Sequence, residues 1–252
     1  MRFARLMLAP VVLLTAGCLQ GQRVIKVNAD GSGTIVDTVK LGDQAKGMLA
    51  GLEQMDKTST TEKKVKKDAK LKEKAVEMGV AFVSAEDTKD GGERLTWSFK
   101  DISKIKIDKS PTVSSNDAKS NDEPLTFRWA KNAAGSSVLT VVFSEKKAAD
   151  KPAGVAAKPD DAQAVAMMKG MLAGLKMSSV VEVNGKLVKT NSPYVVGPTV
   201  TLLEIDFDQI DEAGLKVLAA ADHSKPPSPE LLKNVKGVKA SSGEVTIEFT
   251  GK

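Results

Sequence analysis

Oxygen-bearing side chains that could hold a metal ion stand close together in "VNADGSGTIV", residues 27–36. Asn28, Asp30 and Ser32 are spaced like the first ligands of a calcium-binding loop between two helices. Such a loop also needs a glutamate at its twelfth position, and counting from Asn28 that position is Val39. Strand-like segments, not helices, flank the stretch. We therefore predict a β-hairpin turn, because its glycines accept the positive φ that such turns require.

Groups that could perform acid–base catalysis are few. His223 is the only histidine, and it lies among turn-forming residues without a cysteine or second histidine near it. We therefore expect neither a zinc site nor a Ser-His-Asp triad. A pair from the carboxylates Glu204, Asp206, Asp208 and Asp211 could hydrolyse a sugar bond, but the chain has only two Trp and one Tyr to line a sugar cleft. We predict no enzyme activity, no catalytic residues, no metal and no cofactor.

The start of the chain has the pattern of a secretory signal peptide. Arg2 and Arg5 form a charged start, and residues 6–14 are an apolar run. A membrane-spanning helix needs about 20 apolar residues, so this run is too short to span a bilayer. Its length and flanks are those of a cleaved signal. We therefore predict that residues 1–17 are removed from the mature protein.

The six residues that end this segment, "LLTAGC" (13–18), resemble the lipobox of bacterial lipoproteins. The resemblance implies cleavage between Gly17 and Cys18, a diacylglycerol on the Cys18 sulfur, and an acyl chain such as palmitate on its new amino group. Thr15 stands where the lipobox prefers leucine, a departure that bears on the efficiency of cleavage. The alternative interpretation is a plain secreted protein with one buried cysteine.

A lipidated Cys18 would fix the location of the protein. Each buried methylene contributes about 0.8 kcal/mol, so two or three acyl chains hold a protein on a membrane almost permanently. Leu19, and not aspartate, follows Cys18, which by the usual sorting preference predicts the outer membrane, facing the periplasm. Residues 18–22 would be the lipidated cysteine and a short tether. The mature chain would then have no thiol left for a disulfide.

The charge balance does not indicate a nucleic-acid partner. The net charge of +5 falls by two when Arg2 and Arg5 leave with the signal peptide, and the remainder is too weak for nucleic-acid binding. The expected partners are the membrane, through the lipid anchor, and another envelope protein or lipid.

Alternating apolar and polar residues predict strands along much of the chain. The predicted strands and strand pairs are 23–41, 80–84, 94–99, 125–143, 180–183, 186–190, 199–207 and 244–249. Asn184-Gly185 is a strong hairpin signal and predicts a turn that joins 180–183 to 186–190. The heptapeptide "KGMLAGL" occurs at 46–52 and again at 169–175, each time between two strand pairs. This order predicts an α+β fold, an antiparallel sheet with amphipathic helices packed on it, in two similar halves, 23–123 and 124–252.

Two further patterns suggest helices that contact other molecules. Apolar residues of the two KGMLAGL helices could form the core or line an apolar cavity: Met48, Leu49, Leu52, Met168, Met171, Leu172 and Leu175. Gly47 and Gly51, like Gly170 and Gly174, are spaced four apart, which predicts that these helices pack closely on each other or on equivalent places of their own sheets. The alternative is that the glycines mark frayed helix ends. A lysine-rich helix within residues 56–75 could contact anionic lipid headgroups or could be a solvated surface helix. Its candidate contact residues are Lys63, Lys64, Lys66, Lys67, Lys70 and Lys74.

Four longer segments carry a family resemblance: "VNADGSGTIVDTV", "MGVAFVSAEDTKDGGERLTWSFKDISKI", "PLTFRW" and "VEVNGKLVKTNSPYVVGPTVTLLEIDFDQI". Together they resemble a group of uncharacterised predicted envelope lipoproteins. The piece "VEVNGKLVKTN" is also similar to the LppM-type domain of mycobacterial lipoproteins, which implies lipid binding. We expect a lipid-anchored, non-enzymatic envelope protein with a binding or structural role at the membrane surface. The alternative is a carrier of an apolar ligand or lipid in a Met-lined cavity.

Overall fold

The computed structural model describes residues 19–42, 60–89, 91–108, 124–143, 165, 169–170, 172–220, 232 and 234–251, with the backbone alone for 60–66, 219 and 220. The strands are β1 Leu19–Val27, β2 Gly33–Leu41, β3 Ala81–Asp87, β4 Gly92–Phe99, β5 Leu125–Lys131, β6 Ser137–Phe143, β7 Lys176–Val183, β8 Gly185–Thr190, β9 Val195–Val196, β10 Thr199–Asp206, β11 Val238–Ala240 and β12 Glu244–Gly251. The helices are α1 Thr60–Met78 and α2 Glu212–Ala220, with short 3₁₀ turns at Ile102–Lys104 and Phe207–Gln209.

The strands form two sheets. The larger sheet has the order β11-β10-β7-β1-β2-β4-β3, with β9 beside β10, and the smaller has the order β5-β6-β12-β8. β1 lies in the middle of the larger sheet, antiparallel to β2 and parallel to β7. Its side chains alternate between buried and more exposed, as a strand covered on one face requires.

The two sheets share one hydrophobic core. Ile25 and Trp97 of the larger sheet belong to the same buried cluster as Leu139 and Phe249 of the smaller sheet. Most residues of this cluster are β-branched or aromatic. These are the residue types that pack well on the pleated surface of a sheet with one buried face. A second, smaller cluster lies where α2 contributes Leu215 beside β10 and β11.

The hairpin predicted at residues 23–41 is confirmed, as is the one at 125–143. Both turns have the same backbone hydrogen bonds: Asn28 N–H donates to the Ser32 carbonyl at 2.8 Å, and Asn132 N–H donates to the Ser136 carbonyl at 2.9 Å. The glycine before each serine has a positive φ, +83° and +82°. The two sequences, "NADGS" and "NAAGS", therefore make equivalent turns.

The predicted hairpin at Asn184-Gly185 is wrong. β7 belongs to the larger sheet and β8 to the smaller one, so the chain passes between sheets at this point. Asn184 N–H donates to the Val27 carbonyl at 2.8 Å, which continues the parallel pairing of β7 with β1. A side chain on Gly185 would collide with the Thr250 carbonyl oxygen of β12. The glycine is needed for close strand packing, and not for a turn with positive φ.

The predicted α+β fold with amphipathic helices packed on a sheet, in two similar halves, is also wrong. The described residues contain twelve strands, two continuous α-helices and single helical residues or short pieces at 165, 169–170, 172 and 232, so β-sheet dominates. β1 to β4 lie in one sheet, whereas β5 and β6 lie in a different sheet from β7 and β10. The order of strand pairs along the sequence is repeated, but the corresponding strands of the two halves pair with different neighbours and do not form two equivalent sheets.

The lysine-rich helix predicted within residues 56–75 is confirmed as α1. Ala75 and Met78 are buried in the main core, and Leu71 packs against it. The helix ends before Gly79, which has a φ of +73° and whose N–H donates to the Val76 carbonyl. This is the usual left-handed end of a helix, for which glycine is preferred.

Candidate functional site

A cleft of about 310 Å³ lies on the face of the larger sheet that points away from the core. Eight of its lining side chains are on this face of four adjacent strands: Gln20, Gln22, Thr38, Lys40, Lys176, Ser178, Glu204 and Asp206. Strand register places them in two rows across the sheet. One row runs Lys40, Gln20, Lys176, Asp206 and the next runs Thr38, Gln22, Ser178, Glu204. Most side chains that line the cleft are therefore polar or charged, and the first of them, Gln20, comes two residues after Cys18 in the sequence.

The charges in the cleft are ordered across the sheet. The Lys176 ammonium lies 3.0 Å from an Asp206 carboxylate oxygen and 3.8 Å from one of Asp208. The hydrogen bond to Asp206 is the main reason that the pKa of Lys176 is raised above its ordinary value. Glu204 accepts a hydrogen bond of 2.8 Å from Lys239, on β11. Positive charge lies towards β2 and β7, and the carboxylates lie on β10.

The four carboxylates considered for sugar hydrolysis are each held by a local partner. Asp206 and Glu204 pair with lysines, as above. Asp208 Oδ1 accepts from the Gly174 N–H at 2.7 Å, and Asp211 Oδ1 accepts from the Gly214 N–H at 2.8 Å, near the start of α2. These roles are those of salt bridges and backbone caps.

The candidate ligand side chains of residues 27–36 are engaged in hydrogen bonds, and the Asn28 oxygen accepts from the Asn184 amide at 2.9 Å. Asp30 Oδ1 accepts from the Ser32 hydroxyl at 2.6 Å and from its N–H at 2.9 Å, and Asn28 donates to the Ser32 hydroxyl at 3.0 Å. The bonds from Ser32 lower the pKa of Asp30. No group of three or more potential metal ligands occurs among the described residues. The antiparallel pairing of β1 with β2 on either side of the turn confirms the predicted hairpin.

A buried ion pair on the core side of the larger sheet was not predicted. Arg23 Nε donates to Asp37 Oδ1 at 2.6 Å, and Nη2 donates to Oδ2 at 3.0 Å. Arg23 Nη1 donates to the Asp108 carbonyl at 2.7 Å. Arg23 and Asp37 are 2% and 5% exposed. The alternation of Arg23 with Ile25 and Val27 was the available signal, because residues two apart on a strand share a face.

Three of the six lysines predicted as candidate contacts for anionic lipid have described side chains, Lys67, Lys70 and Lys74. The side chains of Lys63, Lys64 and Lys66 lie outside the described residues. Lys67 forms an ion pair with Glu93 of β4, which ties α1 to the sheet. Lys70 is exposed and Lys74 is half-buried.

Five of the seven residues predicted to line an apolar cavity lie outside the described residues: Met48, Leu49, Leu52, Met168 and Met171. Leu172 and Leu175 are described and are half-buried. A Cβ on Gly170 would meet no described atom within 4 Å, so the described residues show no close packing at this glycine. Gly174 has a φ of +75° beyond the last helical residue, which identifies it as a helix-ending glycine. Gly47 and Gly51 are outside the described residues.

Gly17, Cys18 and His223 also lie outside the described residues. Residues 19–22, predicted as a tether, form the first part of β1. Within the described part of the chain, no helix is both long and apolar enough to cross a membrane. Comparison with protein-family models, with curated proteins and with solved structures gives no match to this chain.

Proposed function

We propose that the protein is a lipid-anchored lipoprotein of the cell envelope, without enzymatic activity, that binds another envelope component at the membrane surface. The observation that carries the proposal is the position of "LLTAGC". Its cysteine directly precedes β1, the strand at the middle of the larger sheet. An acyl anchor on Cys18 would therefore be joined to the folded domain without a flexible linker.

Such a connection would limit how the domain can lie on the membrane. Leu19 and Gln20 are hydrogen-bonded into the sheet opposite Leu41 and Lys40. The end of β1 that carries the cleft would face the lipid, and the turn at residues 28–32 would point away from it. Flexible tethers allow a domain to sample a large volume, whereas a strand that begins at the anchor does not. Function at the membrane surface is the role that this geometry favours.

The anchor is tested by growing cells with a radiolabelled or alkyne-tagged palmitate and isolating the protein. We expect label in the wild type, none in Cys18→Ala, and resistance of the wild type to extraction with high salt. Thr15→Leu is the matched control, because it restores the residue that the lipobox prefers and should increase the labelled fraction. An unlabelled wild-type chain that leaves membranes in salt would refute the proposal.

The binding role is tested by crosslinking in intact cells. A photoreactive residue at Gln22, in the cleft, should capture an envelope component reproducibly. The same residue at Lys186, on exposed β8 of the smaller sheet, serves as the control. Equal capture at both positions, or none at either, would count against a partner at the cleft.

A further inference from the structure

We propose that the cleft at the start of β1 binds a phosphoethanolamine headgroup, a phosphate diester joined to a primary ammonium, from a membrane phospholipid. The membrane as the source of this ligand rests on the proposed function. Recognition of the headgroup itself rests on the cleft alone, so the two can be tested separately.

The order of charges in the cleft matches a zwitterion. Lys40 and Asp206 lie at opposite ends of one row, three strand spacings apart, which is about 14 Å between their backbones. Lys176 lies between them. A phosphate placed towards the lysines would leave an ammonium within reach of the carboxylates of β10. Each of these carboxylates already pairs with one lysine, Asp206 with Lys176 and Glu204 with Lys239, and each keeps acceptor positions for a further donor.

The uncharged lining suits phosphate and glycerol oxygens. Gln20, Gln22, Thr38 and Ser178 offer amide and hydroxyl donors on the same face. A cleft of about 310 Å³ is at the small end of the size range of ligand pockets. These donors surround the middle of the cleft, where a phosphate diester would lie.

The absence of aromatic side chains from the described lining distinguishes between headgroups. Quaternary ammonium groups are typically bound over aromatic rings by cation–π interactions. A primary ammonium instead donates hydrogen bonds, which Glu204 and Asp206 can accept. The lining therefore favours phosphoethanolamine over phosphocholine.

Chain connectivity places the cleft at the depth of lipid headgroups. Gln20 is two residues from Cys18, and two residues span at most about 7 Å. The headgroup layer on each side of a bilayer is about 5–8 Å deep. If Cys18 carries acyl chains, the cleft cannot lie far from neighbouring headgroups, whatever the conformation of the connecting residues.

The test uses the full chain extracted from membranes in detergent and titrated with glycerophosphoethanolamine, glycerophosphocholine and glycerol phosphate by calorimetry. We expect the first to bind at least fivefold more tightly than the other two. Lys176→Gln and Glu204→Gln should each weaken it at least fivefold. Lys26→Gln and Glu182→Gln are matched controls, because this exposed ion pair lies on the same two strands, β1 and β7, beyond the cleft. Equal binding of all three compounds, or equal loss in cleft and control variants, would overturn the proposal.

The source of the headgroup needs a second measurement. The full chain carrying a photoreactive residue at Thr38 is incorporated into vesicles of phosphatidylethanolamine and phosphatidylglycerol. We expect crosslinks to phosphatidylethanolamine, and crosslinks in proportion to lipid abundance would contradict the membrane source. Headgroup binding without acylation of Cys18 would refute the proposed function and leave the headgroup site standing. Acylation of Cys18 without headgroup binding would refute the headgroup site and leave the proposed function standing.

Discussion

Arg23 and Asp37 face each other across β1 and β2 and form two parallel hydrogen bonds, of 2.6 and 3.0 Å, on the core side of the larger sheet. A buried carboxylate and guanidinium in this geometry compensate each other's loss of hydration. The third bond, from Arg23 to the Asp108 carbonyl, fixes the chain after the 3₁₀ turn at Ile102–Lys104. One arginine thus joins two strands and a distant segment.

We expect Arg23→Met to lower the free energy of unfolding by about 3–5 kcal/mol, because it leaves the Asp37 carboxylate buried without its cation. Asp37→Leu should cost a similar amount, and the double variant should cost much less than the sum. Denaturant unfolding of the four proteins gives the coupling. Lys26→Gln, which breaks the exposed pair with Glu182, should change stability by about 0.5 kcal/mol or less. Additive losses in the double variant would contradict a coupled pair.

The two equivalent turns allow a matched test of a packing contact. Gly31 and Gly135 have the same φ, but a Cβ on Gly31 would lie 3.0 Å from the Trp129 ring, whereas one on Gly135 would meet nothing. Gly135→Ala should cost about 1–2 kcal/mol for the left-handed conformation. Gly31→Ala should cost about 1 kcal/mol more, because the ring must move. Equal losses in thermal unfolding would show that the Trp129 contact has no energetic weight.

Two buried serines should respond in opposite ways to alanine. Ser137 donates to the Ala29 carbonyl at 2.7 Å and so joins β6 to the β1–β2 turn. The Ser179 hydroxyl, in contrast, is buried without a hydrogen-bond partner among the described residues. Ser137→Ala should destabilise by about 1 kcal/mol. Ser179→Ala should be neutral or stabilising, because it removes an unsatisfied hydroxyl. A loss for Ser179→Ala as large as that for Ser137→Ala would contradict its unpartnered environment.

Acid stability should depend on Asp101, which caps the 3₁₀ turn at Ile102–Lys104. Hydrogen bonds from the hydroxyl and N–H of Ser103 lower its pKa below the ordinary value of 3.8. Because the pKa of Asp101 is lower in the folded state than in the unfolded state, its ionised form stabilises the fold. This contribution to the free energy of unfolding is complete above about pH 4 and is lost as the pH falls through the folded-state pKa. We therefore compare the melting temperatures of the wild type and Asp101→Asn. The difference between them should be constant between about pH 5 and 8 and should become smaller below pH 4. Asp101→Ala should be the less stable variant at neutral pH, since asparagine keeps an acceptor.

A melting-temperature difference between wild type and Asp101→Asn that grows as the pH falls would contradict this sign. The same dependence is expected of Asp30, whose pKa is lowered by Ser32 in the β1–β2 turn. The two turns are in contact, because the Ile102 N–H donates to the Gly31 carbonyl at 2.9 Å. The effects of Asp30 and Asp101 on the melting temperature should therefore be coupled and not simply add.

Sequence by itself determined the features that depend on neighbouring residues. The turn at residues 28–32 follows from Gly31, from the Asp30 carboxylate, which accepts from the Ser32 N–H, and from the Asn28 amide nitrogen, which donates to the Ser32 hydroxyl. The lysine-rich helix α1 follows from apolar residues spaced to face one side, and its end follows from Gly79. The signal peptide and lipidated Cys18 stay predictions of this local kind.

Only the tertiary structure decided which strands pair. A parallel partner such as β7 for β1 leaves no local pattern, because the two strands are joined through more than a hundred residues. The dipeptide Asn184-Gly185 can serve equally in a hairpin turn or where the chain crosses between sheets. The close approach of β12 to Gly185 shows that the chain crosses between sheets here. The cleft exists because Gln20, Lys176 and Asp206 share one row of three strands. Such a row is set by register, and register is set by long-range packing of the buried face.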